Sequence, residues 1–291
     1  MTYDQAATDN TFVPSRDNIP LGKKNMKVTT SILVLFASLF LAACQEEVAE
    51  PNSVAQFSIT SGVNGATYDI KVAQPMDYGS TTGQCAVVYV LDGEENFNFV
   101  AAECQKLSAR YSTENVLVVS IGHGRSRDLD YTPTKTSSSM GGAPEFLRFI
   151  REELIPKMEV DFRADTSRSG RVILGHSFGG LFGAYAFVAD NNVFGNYLLL
   201  SPSLWFDNEV TLRMELAERN VLKNNQQLVF MGLGNKENFG KMQAPFEAFF
   251  RALNNNYPSL RIAKNLEEDL GHMGSKNPNI RKGLDFYFQN R

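Results

Sequence analysis

RVILGHSFGGLFGAYAFVA, residues 171–189, joins a β-branched apolar run to a helix-forming run through the pentapeptide Gly175-His176-Ser177-Phe178-Gly179. RVILG (171–175) reads as a buried strand and 178–189 as a helix, so Ser177 falls on the turn between them. This context gives the G-x-S-x-G spacing its weight. A serine on a tight strand-to-helix turn needs flanking glycines to keep side chains clear of the strained backbone and of neighbouring strands. The start of the following helix offers free N–H groups to developing negative charge, with Phe178 the first of them.

The same alternation runs through the rest of the chain. QFSIT (56–60) and YDIKVAQ (68–74) read as opening antiparallel strands, with turn chemistry at Gly62 and Asn64-Gly65. CAVVYVL (85–91) and NVLVVSIG (115–122) are continuous β-branched runs of the kind buried on both faces. Between them FNFVAAECQKLSARY has the spacing of a one-sided helix, and a loop at 123–143 precedes a helix at 144–159. Strands follow at 196–200, 227–234 and 260–267, with helices at 240–253 and 279–289. Strand–helix alternation predicts an α/β fold whose mostly parallel, doubly wound sheet carries helices on both faces, as one domain over residues 56–291.

The chain of 291 residues is 43% hydrophobic and 21% charged, which excludes disorder, collagen and coiled coil. A net charge of −4 supplies no basic field for a phosphate backbone, so no nucleic-acid partner is expected. No four Cys or His stand at zinc-finger spacing, no Walker loop or H-E-x-x-H occurs, and G-L-G-N-K-E (232–237) lacks the third glycine of a dinucleotide fingerprint. Neither a metal nor a cofactor is expected.

VTTSILVLFASLFLAA (28–43) is an uncharged apolar run behind Lys23, Lys24 and Lys27. It is shorter than the roughly 20 residues that span a bilayer, and it reads as a signal segment, residues 1–43, with Met26 as the expected start. Leu41-Ala42-Ala43-Cys44 resembles the lipobox of bacterial lipoprotein precursors. That resemblance implies cleavage before Cys44, lipidation of its sulfur, a polar tether at 44–55 and a periplasm-facing domain, with the outer membrane the favoured anchor. Cys85 and Cys104 are expected to be free buried thiols, because unequal strand and helix rises separate them along the sheet axis.

A serine hydroxyl needs a base within reach. Of the three histidines, His176 adjoins Ser177 and reads as a support of the turn, and His123 lies in an exposed loop. His272, between the last strand and the last helix, stands where the chain order Ser, acid, His puts the base. The loop after QLVFMGLG holds one carboxylate, Glu237, as the acid that would orient His272. Alternatively Glu237 is a surface residue paired with Lys236 or Lys241, and Asp207 and Asp269 are the reserves. Backbone N–H groups of Gly93 or Glu94, after CAVVYVL, would join that of Phe178 as oxyanion donors, with Asp92 shaping the turn.

VVYVLDG (87–93), Arg127-Asp128-Leu129-Asp130-Tyr131-Thr132-Pro133, Gly141-Gly142-Ala143 followed by FLRFIREELIP (146–156), GHSFGGLFGAYAF (175–187) and SPSLWF (201–206) together resemble, in order, the esterase family of α/β-hydrolases. That family includes enterochelin and salmochelin esterases and bacillibactin-type siderophore hydrolases. GLGNKE (232–237) and Gly271-His272 fit the same pattern. The resemblance implies a serine carboxylic-ester hydrolase with Ser177 as nucleophile and His272 as base, acting on a small-molecule ester with no protein partner implied. Some members use a Ser-His dyad, which bears on Glu237. Arg125 and Arg127 are candidate binders of an anionic or catecholate ligand and Trp205 a candidate pocket wall, against a structural network of Arg127 with Asp128 or Asp130. The alternatives are an acyltransferase, as in the related mycolyltransferases, and a non-catalytic ligand-binding lipoprotein.

Overall fold

The computed structural model describes residues 53–113, 116–222 and 226–291. The signal segment, Met26, Cys44 and all but the last three residues of the tether lie outside the described residues. Eight strands form one sheet: β1 (Val54–Thr60), β2 (Thr67–Ala73), β3 (Ala86–Val90), β4 (Val116–Ile121), β5 (Arg171–His176), β6 (Asn196–Leu200), β7 (Gln227–Gly234) and β8 (Leu260–Glu267). Their order is β1-β2-β4-β3-β5-β6-β7-β8. β1 and β2 pair antiparallel, as does β2 with β4, and every pair from β4 to β8 is parallel. This is the doubly wound α/β architecture that the strand–helix alternation predicts, and the α/β-hydrolase fold that the resemblance implies.

Period-two alternation divides each central strand between two cores. Val87, Tyr89 and Leu91 face one apolar cluster with the helical regions Ala143–Phe162, Phe178–Ala189 and Ala244–Asn256. Ala86, Val88 and Val90 face the other, with helices Gly93–Tyr111 and Lys276–Asn290. Cys85 and Cys104 are buried and free.

Four elements depart from the sequence expectation. The expected 123–143 loop contains a short helix, Arg127–Tyr131, capped by the Ser126 hydroxyl. The expected helices at 144–159 and 240–253 each include a π-helical stretch, Ile150–Leu154 and Phe239–Gln243. A helical region at Phe206–Leu222 went unread, and its interior explains why. Its start is interrupted by left-handed Asp207, Asn208 and Glu209, Glu215 is completely buried against Arg219, and Leu216 is exposed. An acid inside and a leucine outside invert the apolar period.

Candidate active site

The parallel register puts the carboxyl ends of five strands along one edge. Val90 pairs with Leu174, His176 with Leu200, Leu200 with Gly232, and Gly234 with Glu267. Asp92 and Gly93, Ser177, Ser201 to Trp205, Glu237 and His272 all follow these ends. Loops at the carboxyl edge of an open parallel sheet are where such folds build ligand sites.

Ser177 has φ 61° and ψ −116°, outside the ordinary regions for a residue with a side chain. Holding it there costs on the order of 1–3 kcal/mol. Positions 175 and 180 are glycines because nothing larger fits: a Cβ on Gly175 would stand 2.4 Å from the backbone of Gly179, and one on Gly180 would stand 2.9 Å from Pro202 Cα. The turn is tied down by the Ser177 N–H donating to the Leu200 carbonyl at 2.9 Å. Phe178 and Gly93 each begin a helix, where the first N–H groups lack an intrahelical acceptor. The two helix starts are close, since a Cβ on Gly179 would meet Leu91 Cβ and Asp92 Oδ2 at 3.3 Å. Glu94 is exposed, one residue further along its helix.

His272 Nδ1 donates to Glu237 Oε2 at 2.7 Å. An ionised carboxylate only accepts, so the proton sits on Nδ1 and leaves Nε2 of the neutral ring as an acceptor. The Glu237 side chain is 1% exposed and that of His272 37%. Burial alone would raise the Glu237 pKa. The bonds from His272, the Ser201 hydroxyl and the Gly234 N–H outweigh it and hold the carboxyl below its ordinary value. Glu237 is thus not a surface acid: Lys236 pairs instead with exposed Asp269, and Lys241 lies over the Trp205 ring. The Ser177 hydroxyl lies 3.4 Å from Ser203 Oγ and makes no hydrogen bond to His272; such contacts often close only around substrate.

His176 proves to be more than a neighbour of Ser177. Its Nε2 donates to the backbone carbonyl of His272 at 3.0 Å, and the two rings lie 4.6 Å apart. Burial first, and then the adjacent His272, push the His176 pKa down to about 4, so it stays neutral as a fixed donor.

The arginines differ from expectation. Arg127 donates from Nε and Nη2 to the two carboxylate oxygens of Asp92, at 2.6 and 2.9 Å, and from Nη2 to the His176 carbonyl at 3.0 Å. Arg125 donates to Asp130 at 2.7 Å and to the Gly142 carbonyl. Arg127 therefore links the turn before Gly93 to the turn before Phe178. Its partner is Asp92, 35 residues away in sequence, not Asp128 or Asp130. Committed in this way, the two guanidiniums are less available to a ligand than free cations would be. His123 stands 3.4 Å from the same Asp92.

Trp205 stands with Phe178 and Phe206 beside Ser139, Asp128 and Asp207 in a cleft of about 380 Å³. Asp207 accepts from Thr134 Oγ1 there and is no rival to Glu237 as a partner of His272. Among the described residues no cluster of His, Cys, Asp and Glu is placed to hold a metal ion. Sequence reading missed Ser201, Ser203 and Ser275, whose hydroxyls bond within this site. The Ser-Pro-Ser run after a buried strand is the one signal that pointed to the first two.

A serine on a strained turn, two helix starts beside it and a carboxylate-bound imidazole form the constellation of an α/β-hydrolase. The model of the family described as "Putative esterase" matches residues 61–275, and the chain belongs to that esterase family. Over 238 residues it is 26% identical to the siderophore enterobactin esterase of Emericella nidulans, covering 72% of this chain and 78% of that protein. It is 28% identical over 182 residues to the ferri-bacillibactin esterase of Bacillus subtilis, covering 55% of this chain and 62% of that one. The crystal structure of an IroE-like serine hydrolase from Shewanella oneidensis superposes with a TM-score of 0.71 at 27% identity, covering 81% of this chain and 80% of the other. The chain is accordingly a hydrolase of the carboxylic-ester class.

Proposed function

We propose that the chain is a serine esterase that cleaves the ester bonds of a siderophore-type small molecule through an acyl-enzyme on Ser177. The observation that carries this reading is the 2.7 Å bond that holds His272 in one tautomer on the same sheet edge as the Ser177 turn. Ser177 Oγ attacks the ester carbonyl and its proton passes to His272 Nε2. The carbonyl oxygen takes up negative charge facing the N–H groups of Phe178 and Gly93. The alcohol leaves with the proton from His272, and water repeats the sequence to release the acid. Glu237 keeps the ring oriented and stabilises the imidazolium. The siderophore part of the reading rests on the names of the relatives and on the aromatic wall of Phe178, Trp205 and Phe206.

Ser177→Ala should lower kcat on a trilactone siderophore and on p-nitrophenyl acetate by about 10³-fold or more, with the melting temperature little changed. A variant that still turns over, or a wild type that reacts with neither ester nor a fluorophosphonate probe, would sink the assignment. The probe also separates an esterase from a scaffold that only binds. We further propose that Cys44 carries a lipid and tethers the domain outside the cytoplasm. Incorporation of an alkyne fatty acid that is lost in Cys44→Ala tests it, and equal labelling of both forms refutes it.

A further inference from the structure

β6 ends at Leu200, and the next residue, Ser201, has φ 40°, in the left-handed region where glycine or asparagine is the ordinary choice. Its N–H donates to the Gly232 carbonyl at 2.7 Å, which fixes the backbone between β6 and β7. Its hydroxyl, 1% exposed as a residue, donates to Glu237 Oε1 at 2.6 Å. The same oxygen accepts the Gly234 N–H at 2.9 Å and the Ser275 hydroxyl at 3.3 Å, and Ser275 is wholly buried. Oε1 is therefore filled by three uncharged donors, and Oε2 is left to His272. A glycine at 201 would satisfy the backbone, but only a donor satisfies Glu237.

Resting on the reading of Glu237 and His272 as a catalytic pair, we propose that Ser201, backed by Ser275, is a positioning residue that aims Oε2 of Glu237 at His272 and keeps the carboxylate ionised without a permanent cation. An arginine or lysine in that place would compete with the imidazolium for the same charge. Hydroxyls and an amide offset part of the cost of burial yet leave the net charge on Glu237 for His272. The other titratable and charged groups near the pair are His176, at 4.6 Å from the His272 ring, Lys276 at the start of the last helix, and the exposed Lys236–Asp269 pair.

Ser201→Gly separates the two roles of this residue. Glycine accepts φ 40° more readily than serine, which offsets part of the stability lost with the buried hydroxyl, so the variant should still fold cooperatively with a melting temperature within several degrees of wild type. Its kcat on p-nitrophenyl acetate should nevertheless fall about tenfold or more, the scale of a lost hydrogen bond to a charged group. A carboxylate that has lost a donor holds a proton more readily and also keeps its imidazole protonated to higher pH. Both effects move the acid limb of the kcat/KM profile upward, and Ser201→Ala should reproduce the shift. Titration of histidine-labelled protein by NMR reads His272 without any turnover and should show its pKa raised in Ser201→Gly. A shifted His272 titration with no ester cleaved by wild type would uphold the positioning role while sinking the proposed activity. A wild-type-like titration and acid limb in both variants of an active enzyme would overturn the role of Ser201.

Discussion

Asp92 and Glu237 are both buried carboxylates on the sheet edge that carries Ser177, and they are held by opposite chemistry. Asp92 takes two hydrogen bonds from the Arg127 guanidinium and stands 3.4 Å from His123. Glu237 takes two hydroxyls, an amide N–H and an imidazole. A permanent cation cancels the first charge, so what remains of Asp92 is geometry: it fixes the turn from which Gly93 starts its helix. The charge of Glu237 is not cancelled by a permanent cation, and in the proposed mechanism it is available when His272 takes up a proton. If Glu237 is the catalytic acid we propose, burial does not distinguish it from Asp92. The identity of the donors does.

Exchanging each carboxylate for its amide should break the pair in different observables. Glu237→Gln should lower kcat by about 10³–10⁴-fold while leaving KM and the fold near wild type, because the amide favours the wrong tautomer of His272. Asp92→Asn should instead show mainly as lost stability, on the order of 1–3 kcal/mol by denaturant titration. That is below the full cost of breaking a buried ion pair, because Arg127 is 35% exposed. Equal activity losses in the two variants would erase the distinction. As a control, Asp269→Asn removes only a surface partner of Lys236 and should match wild type in both assays.

A smaller effect separates the two sides by pH. The His176 pKa is about 4 in the fold, against an ordinary value of 6.5. The folded form therefore disfavours the protonated ring. Stability from this source is complete above pH 6.5 and is lost as pH falls from there toward 4. By linkage, about 2 kcal/mol should disappear between pH 7 and pH 5. Thermal melts of His176→Gln should show a shallower decline over that interval than wild type. Parallel curves would mean that His176 does not carry this dependence.

The sheet, and the candidates Ser177, Glu237 and His272 that the fold brings to one edge, were legible because each rests on a local or ordered signal. A β-branched run, a glycine-flanked serine and a helical run lie within 171–189, and the chain order of serine, carboxylate and histidine selects Glu237 and His272. What stayed hidden is pairing across distance. No spacing rule joins Arg127 to Asp92, or the His176 ring to the backbone of His272. Ser201 was quoted only as part of a motif, since a hydroxyl donor leaves no periodic trace. The helical region at Phe206–Leu222 was obscured for a related reason, with Glu215 turned inward by a bond to Arg219 that a hydropathy pattern counts as an error.

Strand direction has a consequence for approach. β1 is antiparallel to β2, which is antiparallel to β4, so β1 runs the same way as the parallel strands whose far ends carry Ser177, Glu237 and His272. The chain therefore enters this domain at Ser53 on the rim opposite the cleft, roughly 20 Å away by the length of a six- or seven-residue strand. On the proposal that Cys44 is lipidated, any pull on the domain would act through this rim and not through the edge that carries Ser177, which leaves that edge to a bulky ester.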